Sequence, residues 1–469
     1  MRPSTTHRAS RAAFLASAAV LSTSASVRIP APQADPIGPL ALALIETAAL
    51  PSLSIAILRD GEIVYANAWG YADIESRVAA TADTRYRCGS VSKVLTATAL
   101  GRMVQDGRLD LDAQLVRYVP TWPAEPTITA RQLAGHLSGV AHYQGVDRLP
   151  GNSRHYDSVL ESLEVFRDSP RAGVPGAAYA YSTHGYTLLS AAIEGAAGSP
   201  FLEVLDEEVF SPLGMTSSGP DLRASPHPRM ATLYDRAAGQ PRVPEAIAEP
   251  EDPSYKWAGG GLVSTPSDLV RLAWAYLDGF IEPGVVEEMW TSQRTSDGEE
   301  TGVGITWRIE RDDMGRRVIH HSGAMGGARA TVAIFPDQGE AIAVMTNIAW
   351  PSDIHTIAKA LMEAYRNAGI TDAAIATDGP VAISGTVGDR EAGGTLELAD
   401  GAGWITTPAS LRERLGAAAV ERLPIRHVAG SRYLVVTPVA IVGLDIEERD
   451  GRIRGTGELL GEVWTFEGP

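Results

Sequence analysis

The sequence predicts an α+β protein: an antiparallel sheet with flanking helices and an inserted helical lobe, followed by a small all-β C-terminal domain. Apolar runs with strand character occur near residues 53–69 and again at 304–347, and helical periodicity dominates 108–290 between them. After Gly369, short apolar runs alternate with turns that contain Gly and Asp. Strands from both ends of the first segment can therefore share one sheet, while the last segment forms a separate sandwich or barrel.

Periodicity and turn signals give the individual elements. The predicted helices are 40–49, 90–105, 158–167, 187–197, 267–277 and 354–368. The predicted strands are 53–58, 63–69, 304–310, 317–321, 330–335, 341–347, 381–387, 395–398, 433–438, 441–447 and 463–466. The dipeptides Asp60-Gly61 and Asp450-Gly451 predict tight hairpin turns.

The pattern also predicts domain boundaries. They are a signal peptide at 1–26, a linker at 27–39, a main domain at 40–368, a linker at 369–379 and a β-domain of unknown role at 380–469. The signal peptide is predicted from a basic start, an apolar run at 12–21 and small residues at 22–26. We therefore expect export to the periplasm or the medium. A retained anchor or a disordered tail is the alternative.

Charge and cysteine content exclude some classes of function. Lys+Arg total 40 and Asp+Glu total 57, so the net charge is −17, which disfavours nucleic acid and anionic membranes as partners. No stretch after the signal segment resembles a membrane span, so we do not expect an integral membrane protein. Cys88 is the single cysteine, which rules out an intramolecular disulfide, and we expect it to be a small buried thiol.

Ser90 and Lys93 form the strongest local signal for chemistry. The chain has only three lysines, and one of them lies three residues after a serine that follows Gly89 at a predicted helix start. Lys93 then lies one turn along the same helix face, where burial and the helix dipole favour its neutral form. A neutral amine can take the serine proton, so Ser90 is the predicted nucleophile and Lys93 its activating partner. The alternative is a capped helix that carries a surface lysine.

Two more segments supply candidate partners. Tyr181 follows the Pro175-Gly176 loop, where a phenol can exchange a proton with Ser90 and Lys93 or relay it to a leaving group. Packing as a loop tyrosine is the alternative.

The second of these segments is Val318 to Ala324, at the end of a predicted strand. Gly323 lets a substrate backbone approach this strand edge, and the Ala324 N–H can join the Ser90 N–H as an oxyanion hole. We expect His320-His321 to lie on a half-buried strand with one ring exposed. The sequence puts no carboxylate or cysteine at ligand spacing beside them, so we expect neither a metal nor another cofactor.

These segments resemble the three ordered motifs of class C β-lactamases and DD-peptidases, which are penicillin-binding-protein-like hydrolases. The segments are Gly89-Ser90-Val91-Ser92-Lys93, Tyr181-Ser182-Thr183 and His321-Ser322-Gly323. The flanking sequence is most similar to the mitochondrial serine β-lactamase-like subgroup called LACTB. Its similar segments are 136–143, 181–190 and 254–261, and the resemblance covers about 45–365.

The resemblance implies a two-lobed β-lactamase/transpeptidase-like fold with Ser90 at the junction of the lobes. It implies that Ser90 is acylated, that Lys93 and Tyr181 transfer protons, and that Ser90 and Ala324 hold the oxyanion. It also implies that Thr183, His321, Ser322 and Gly323 belong to the substrate-binding side. We add four residues as substrate-wall candidates: Tyr255, Lys256, Trp257 and His142. Packing beneath the loop is an equal alternative for Tyr255, Lys256 and Trp257, and His142 carries the same ambiguity.

Two departures from the β-lactamase motifs guide the functional prediction. Thr183 stands where those enzymes have asparagine, and His321 where they have a permanently charged lysine. We therefore expect a peptidase or esterase that acts on a peptide or small molecule. A β-lactamase or D-Ala-D-Ala carboxypeptidase is the alternative. A non-catalytic or filament-forming scaffold is a third hypothesis, and the sequence does not fix an oligomeric state.

Overall fold

A computed structural model describes residues 35–143, 154–224, 226–370, 374–459 and 461–469. The predicted signal peptide and most of the linker at 27–39 lie outside these residues. The helices are α1 (Gly38–Ala48), α2 (Ser92–Gln105), α3 (Ala130–Ala134), α4 (Val159–Ser162), α5 (Thr183–Ala197), α6 (Phe201–Leu205), α7 (Trp257–Gly260), α8 (Pro266–Trp274), α9 (Pro283–Met289), α10 (Ile354–Arg366) and α11 (Ala409–Leu415).

Strands occupy both ends of the main segment and the whole C-terminal part. They are β1 (Ser52–Arg59), β2 (Glu62–Asp73), β3 (Val78–Ala79), β4 (Tyr86–Arg87), β5 (Gly219–Pro220), β6 (Tyr234–Ala237), β7 (Gln240–Ala246), β8 (Leu262–Ser264), β9 (Arg308–Arg311), β10 (Arg317–Met325), β11 (Ala328–Phe335), β12 (Glu340–Thr346), β13 (Val381–Val387), β14 (Arg390–Ala399), β15 (Ala402–Thr406), β16 (Arg422–Ala429), β17 (Arg432–Val436), β18 (Ile441–Arg449), β19 (Arg452–Leu459) and β20 (Glu462–Gly468).

Within the described part of the chain, seven strands form the main sheet. Their order is β3-β2-β1-β12-β11-β10-β9, and all neighbours are antiparallel. Strand β1 from the start of the segment pairs with β12 from its end, with Ala56 opposite Ala343. The helical residues between them form the second lobe. The predicted α+β architecture is therefore confirmed.

Separate apolar clusters cover the two faces of this sheet. One face packs on the helical lobe through α2, α5 and α8, where Val94, Leu188 and Leu269 are fully buried. The other face packs on α1 and α10, whose Leu44 and Leu361 are fully buried. Residues at the head of α2 therefore lie between the sheet and the helical lobe, where side chains from both can meet.

The C-terminal strands form a closed barrel. Each of β13 to β20 pairs with the next strand in the chain, and β20 returns to pair with β13, with Gly385 opposite Phe466. The barrel interior holds its own apolar cluster around Leu396, Leu444 and Trp464. This decides between the predicted sandwich and barrel in favour of the barrel. The strands β15, β16 and β19 and the helix α11 were not predicted.

Several predicted elements have different bounds. The helix expected at 158–167 is a short α4 followed by a single 3-10 turn. The Ser162 hydroxyl donates to the Ser158 and Val159 carbonyls, a local bond that competes with regular helix. Strand β9 begins at Arg308 rather than 304, because Thr306 has a φ of 76°. The β6–β7 hairpin was not predicted.

Two corrections concern the predicted site. Helix α5 begins at Thr183 rather than 187, because Ser182 caps it by accepting the Gly185 N–H at 2.9 Å. Strand β10 continues through Met325 instead of ending near His321, because its ladder with β11 extends to the pair Met325 and Ala328.

One observation bears on membrane association. Among the described residues, no single helix has the length and apolar character needed to cross a bilayer. One bent pair, Thr183–Ala197 with Phe201–Phe210, passes the same test on length and composition alone.

Candidate active site

Ser90 lies in a 3-10 turn, Gly89–Val91, that leads directly into α2. The turn is fixed from both sides: Cys88 donates its N–H to the Leu262 carbonyl at 2.8 Å, and the Ser92 hydroxyl accepts the Leu262 N–H at 3.1 Å. Cys88 itself is fully buried, and burial raises the pKa of its thiol, as expected for a packed rather than reactive cysteine.

Strand β10 runs unusually close to this turn. A Cβ on Gly323 would lie 2.0 Å from the Cys88 carbonyl oxygen, and a Cβ on Gly89 would lie 2.7 Å from the Ala324 nitrogen. Both positions therefore require glycine for backbone contact. Gly323 was predicted to make room for substrate, but its side-chain position points at the turn. The same approach brings Ser90 and Ala324 to the lining of one cavity.

Lys93 lies one turn into the buried part of α2 and has no exposed surface. Its Nζ is 3.2 Å from Ser90 Oγ, 3.2 Å from Thr183 Oγ1 and 2.5 Å from the Gly259 carbonyl oxygen. No carboxylate of the described residues pairs with it. Burial holds the pKa of the Lys93 ammonium well below its usual range, and the charges of Lys256 and Arg308 lower it further.

Tyr181 reaches the same oxygen from the residue just before the α5 cap. Its hydroxyl lies 2.7 Å from Ser90 Oγ, and its ring lies 4.8 Å from Lys93 Nζ. Burial raises the pKa of the Tyr181 phenol, and its hydrogen bond to Ser90 only partly offsets this. A protonated phenol and a neutral amine therefore converge on one serine hydroxyl.

Two histidines hold the Tyr181 segment in position. His136 Nδ1 accepts the Ser182 N–H at 3.2 Å, and His142 Nδ1 accepts the Thr183 N–H at 3.2 Å. The His136 ring also stacks at 4.3 Å against Tyr181. To accept there, each ring must be neutral with its proton on Nε2. In agreement, burial lowers the pKa of His136 well below its usual range and that of His142 to about 4.

His136 is a positioning residue to which the sequence analysis assigned no role, although it lies in a segment that carried the family resemblance. It adopts a φ of 59°, a left-handed conformation that is uncommon for a residue other than glycine. The signal that could have revealed it is a histidine that begins the 136–143 segment, six residues before His142. Sequence spacing alone does not show that its ring lies beneath Tyr181.

A cavity of about 360 Å³ opens over these groups. Predicted site residues line it from both lobes: Ser90, Tyr181, Thr183, Ser322, Gly323, Ala324, Lys256 and His142. Unpredicted residues line it too, among them Arg329 on β11 and Ser352 and Ile354 at the start of α10. The cavity is accordingly bounded by β10, by the Tyr181 segment and by the 256–260 turn.

His320 and His321 differ from the expectation of one exposed ring, since both are buried. His321 donates from Nδ1 to the Ser322 carbonyl at 2.8 Å. It is not one of the described residues that line the cavity. Burial lowers its pKa well below the usual range, and Lys93 and Arg308 add to the effect. His320 stacks on His355 at 5.0 Å. His321 is therefore a neutral group behind the cavity wall.

The three residues of the 255–257 segment do not share one role: one lines the cavity and two pack beneath the loop. Tyr255 and Trp257 are each 5% exposed and do not line the described cavity, so for these two the packing alternative holds. Lys256 reaches the cavity and pairs with Glu251 at 2.8 Å. Burial opposes its charge, but Tyr143, Tyr255 and Glu251 raise its pKa more than burial lowers it. Lys256 thus places an ammonium group, paired with Glu251, beside the Ser90 site.

Comparisons with known proteins show which family the chain resembles. The human mitochondrial protein named "Serine beta-lactamase-like protein LACTB" is 25% identical over 387 residues, covering 61% of this chain and 69% of its own. A D-aminopeptidase of Brucella anthropi is 28% identical over 315 residues, covering 62% of this chain and 57% of its own.

A solved structure extends the likeness in fold. The octameric penicillin-binding protein homologue of Pyrococcus abyssi superposes with a TM-score of 0.59 at 22% identity, covering 91% of this chain and 98% of its own. The family model described as Beta-lactamase matches residues 40–366. The chain therefore belongs to the Beta-lactamase family of serine hydrolases.

Proposed function

We propose that the protein hydrolyses peptide or ester bonds through an acyl-enzyme formed on Ser90. The observation that carries this proposal is the convergence of Tyr181 Oη at 2.7 Å and Lys93 Nζ at 3.2 Å on Ser90 Oγ. Both distances lie within reach for proton transfer. The D-aminopeptidase relative supports amide bonds as substrates, and an activated serine that opens an amide can also open an ester.

Lys93 is the general base in this proposal. A neutral amine has two N–H donors and one lone pair, and the Gly259 carbonyl and Thr183 Oγ1 use the two donors. The lone pair then faces the Ser90 hydroxyl and accepts its proton as Oγ attacks the substrate carbonyl carbon. The backbone N–H groups of Ser90 and Ala324 stabilise the charge on the carbonyl oxygen.

Tyr181 is the proton donor to the leaving group. Because burial raises its pKa, it keeps its proton and donates to Ser90 Oγ in the resting site. When the bond between the carbonyl carbon and the leaving nitrogen or oxygen breaks, Tyr181 protonates the leaving atom and Lys93 returns a proton to Tyr181. Water then attacks the Ser90 ester, and the same groups act in reverse to release the acid.

Substrate profiling of the wild type and Ser90→Ala tests this assignment. We expect the wild type to hydrolyse members of an amide and ester panel, and the variant to lose about 10³-fold or more in kcat/KM. Matching thermal unfolding curves would show that the variant is folded. Equal activity in both proteins would mean that the nucleophile is misassigned.

The β-lactamase and carboxypeptidase alternatives receive less support. The buried, neutral His321 cannot supply the fixed positive charge expected at that motif position. We therefore expect slow turnover of a chromogenic cephalosporin beside faster turnover of the preferred peptide or ester. The reverse order would favour a β-lactamase.

We further propose that the protein is exported. The support is the basic start followed by the apolar run at 12–21. Fractionation of cells that produce the full chain tests it, with a processed protein expected outside the cytoplasm. An unprocessed protein confined to the cytoplasm would contradict export.

A further inference from the structure

The cavity over Ser90 adjoins a second cavity of about 600 Å³, because Ser352 lines both. The β6–β7 hairpin supplies Arg236 and Pro241 to this second cavity, and the loop after β12 supplies Trp350. The remaining wall comes from the barrel, through Leu415 at the end of α11 and Val439. A substrate that extends beyond Ser90 past Ser352 would therefore lie against the barrel.

The charged residues that line these two cavities share one sign. They are Lys256, Arg329, Arg236 and Arg414. No Asp or Glu of the described residues lines either cavity, although the whole chain carries a net charge of −17. The charge that lines the cleft around the nucleophile is thus positive, opposite in sign to the net charge of the whole protein.

Two of these cations already have carboxylate partners. Lys256 pairs with Glu251 at 2.8 Å, and Arg414 lies 3.5 Å from Glu462. Neither Arg329 nor Arg236 forms an ion pair with another described residue. Asp235 lies near enough to favour the charged form of both, but not within ion-pair distance.

Arg329 and Arg236 are held by uncharged groups instead. Arg329 donates from Nε to the Pro351 carbonyl at 3.2 Å, which fixes its guanidinium beside the loop that separates the cavities. Arg236 stacks on the Trp350 ring, with its Cζ 3.7 Å from the ring centroid. Both guanidinium groups are therefore positioned while retaining charge for a ligand, and guanidinium matches carboxylate geometry.

Resting on the proposed function, we infer that the cleft takes an extended substrate with a carboxylate remote from the scissile bond. Arg329 and Arg236 are the specificity-determining residues that bind it. His321 is buried behind the cavity wall. The two lining cations without a carboxylate partner therefore lie on β11 and in the β6–β7 hairpin, whereas Lys256 and Arg414 are already paired. The barrel contributes a wall to the same cleft, which gives the C-terminal domain a part in substrate selection.

Two matched ester series test the inference on the full chain. The first contains p-nitrophenyl half-esters of dicarboxylic acids from glutarate to suberate, each compared with its methyl-capped counterpart. The second contains 3-acetoxybenzoate and its methyl ester, which put the charge on the leaving group. We expect at least one charged ester to exceed its neutral partner about tenfold in kcat/KM.

Arg329→Gln and Arg236→Gln are each expected to bring that ratio close to one. Arg117→Gln is the matched control, since Arg117 also stacks on an aromatic ring, at 5.6 Å over Tyr118, but lines neither cavity. The ratio in the control is expected to equal the wild-type ratio. Because the readout is a ratio between two substrates, a partly folded variant does not imitate the result.

The outcomes separate the two proposals. Ser90-dependent hydrolysis of neutral esters with no preference for any charged ester would overturn the inference and leave the proposed function standing. A preference that survives in both arginine variants would also overturn it. Absence of hydrolysis of every amide and ester by folded protein would overturn both.

Discussion

The Ser90 site and the C-terminal barrel are built in opposite ways. At the site, Ser90 meets Tyr181 from 91 positions away, and Lys93 meets Gly259 from 166 positions away. In the barrel, each strand from β13 to β20 pairs with its neighbour in the chain. The site depends on buried polar contacts between distant segments, whereas the barrel depends on local strand pairing around an apolar interior.

This difference predicts how each region responds to change. Loss of one polar atom at the site removes a step of the chemistry while most of the core stays packed. Loss of an anchoring contact of the barrel lowers stability and leaves the reacting groups in place. Variants for which kcat/KM and the free energy of unfolding are both measured can therefore test whether the two regions differ in this way.

Tyr181→Phe should give the largest effect. The change removes the hydroxyl that lies 2.7 Å from Ser90 Oγ, so we expect kcat/KM to fall by about 10²–10⁴-fold. The free energy of unfolding should change by only about 1 kcal/mol. Steady-state kinetics and urea unfolding measure the two quantities.

Tyr179→Phe is the control and should keep activity, since Tyr179 does not line the cavity. Equal losses in both variants would contradict a specific role of Tyr181.

Gly323→Ala should disturb both quantities. The new Cβ would lie 2.0 Å from the Cys88 carbonyl, so β10 must move away from the Ser90 turn. We expect a loss of about 3 kcal/mol in the free energy of unfolding, together with lower kcat/KM. Gly284→Ala is the matched control, because a Cβ there meets no atom within 4 Å. Wild-type stability in Gly323→Ala would show that the close approach is not needed.

Arg432→Ala tests how the barrel is held to the main sheet. Arg432 lies 2.6 Å from Asp313 and 3.3 Å from Glu363 on α10, and its side chain is 17% exposed. We expect a loss of about 2 kcal/mol in stability, because the buried Glu363 is left without its partner. The kcat/KM measured well below the unfolding temperature should stay close to wild type.

The control for this barrel variant is Arg454→Ala. Arg454 pairs with Glu467 at the barrel surface, where its side chain is 57% exposed. Exposed pairs contribute about 0–1 kcal/mol, so we expect little change. A fall in kcat/KM in Arg432→Ala without loss of stability would reverse the proposed division between the two regions.

The pH dependence of stability should give the smallest effect. Burial lowers the pKa of His184 to about 3 from an ordinary value near 6.5, so the unfolded chain binds a proton that the folded chain excludes. The contribution of neutral His184 is complete above pH 6.5 and is lost as the pH falls toward 3. His184 stacks on Phe166 at 4.8 Å, so His184→Phe preserves the ring contact.

Urea unfolding at pH 7 and pH 5.5 measures this dependence. Between these values we expect the wild type to lose about 1 kcal/mol more than His184→Phe. An identical pH dependence in both proteins would show that folding does not lower the pKa of His184.

The sequence predicted the parts of the fold that depend on local pattern. Alternation and turn signals identified β1, β2 and the sheet strands near the end of the main domain, and Asp60 adopts the positive φ of 49° expected at its turn. Spacing identified Ser90 and Lys93, and family resemblance identified the Tyr181 segment. The structure brings these three side chains together.

Burial at the site could not be predicted in the same way, because it depends on contacts between distant segments. The path of β10 past the Ser90 turn decides whether His321 faces the cavity. Two adjacent histidines in the sequence give no information about that path. Arg329 lines the cavity because of the strand order of the main sheet, and Ser352 lines it because of the path of the loop after β12. The strands β15 and β19 were missed because their polar and glycine-containing sequences lack a strong apolar run.

The central claim is that Ser90 is an activated nucleophile. The most direct measurement is mass spectrometry of the full chain after treatment with a fluorophosphonate probe, followed by peptide mapping. We predict one covalent adduct on the peptide that contains Ser90, lost in Ser90→Ala and formed more slowly in Tyr181→Phe. An adduct on another residue, or no adduct on well-folded wild-type protein, would contradict the account.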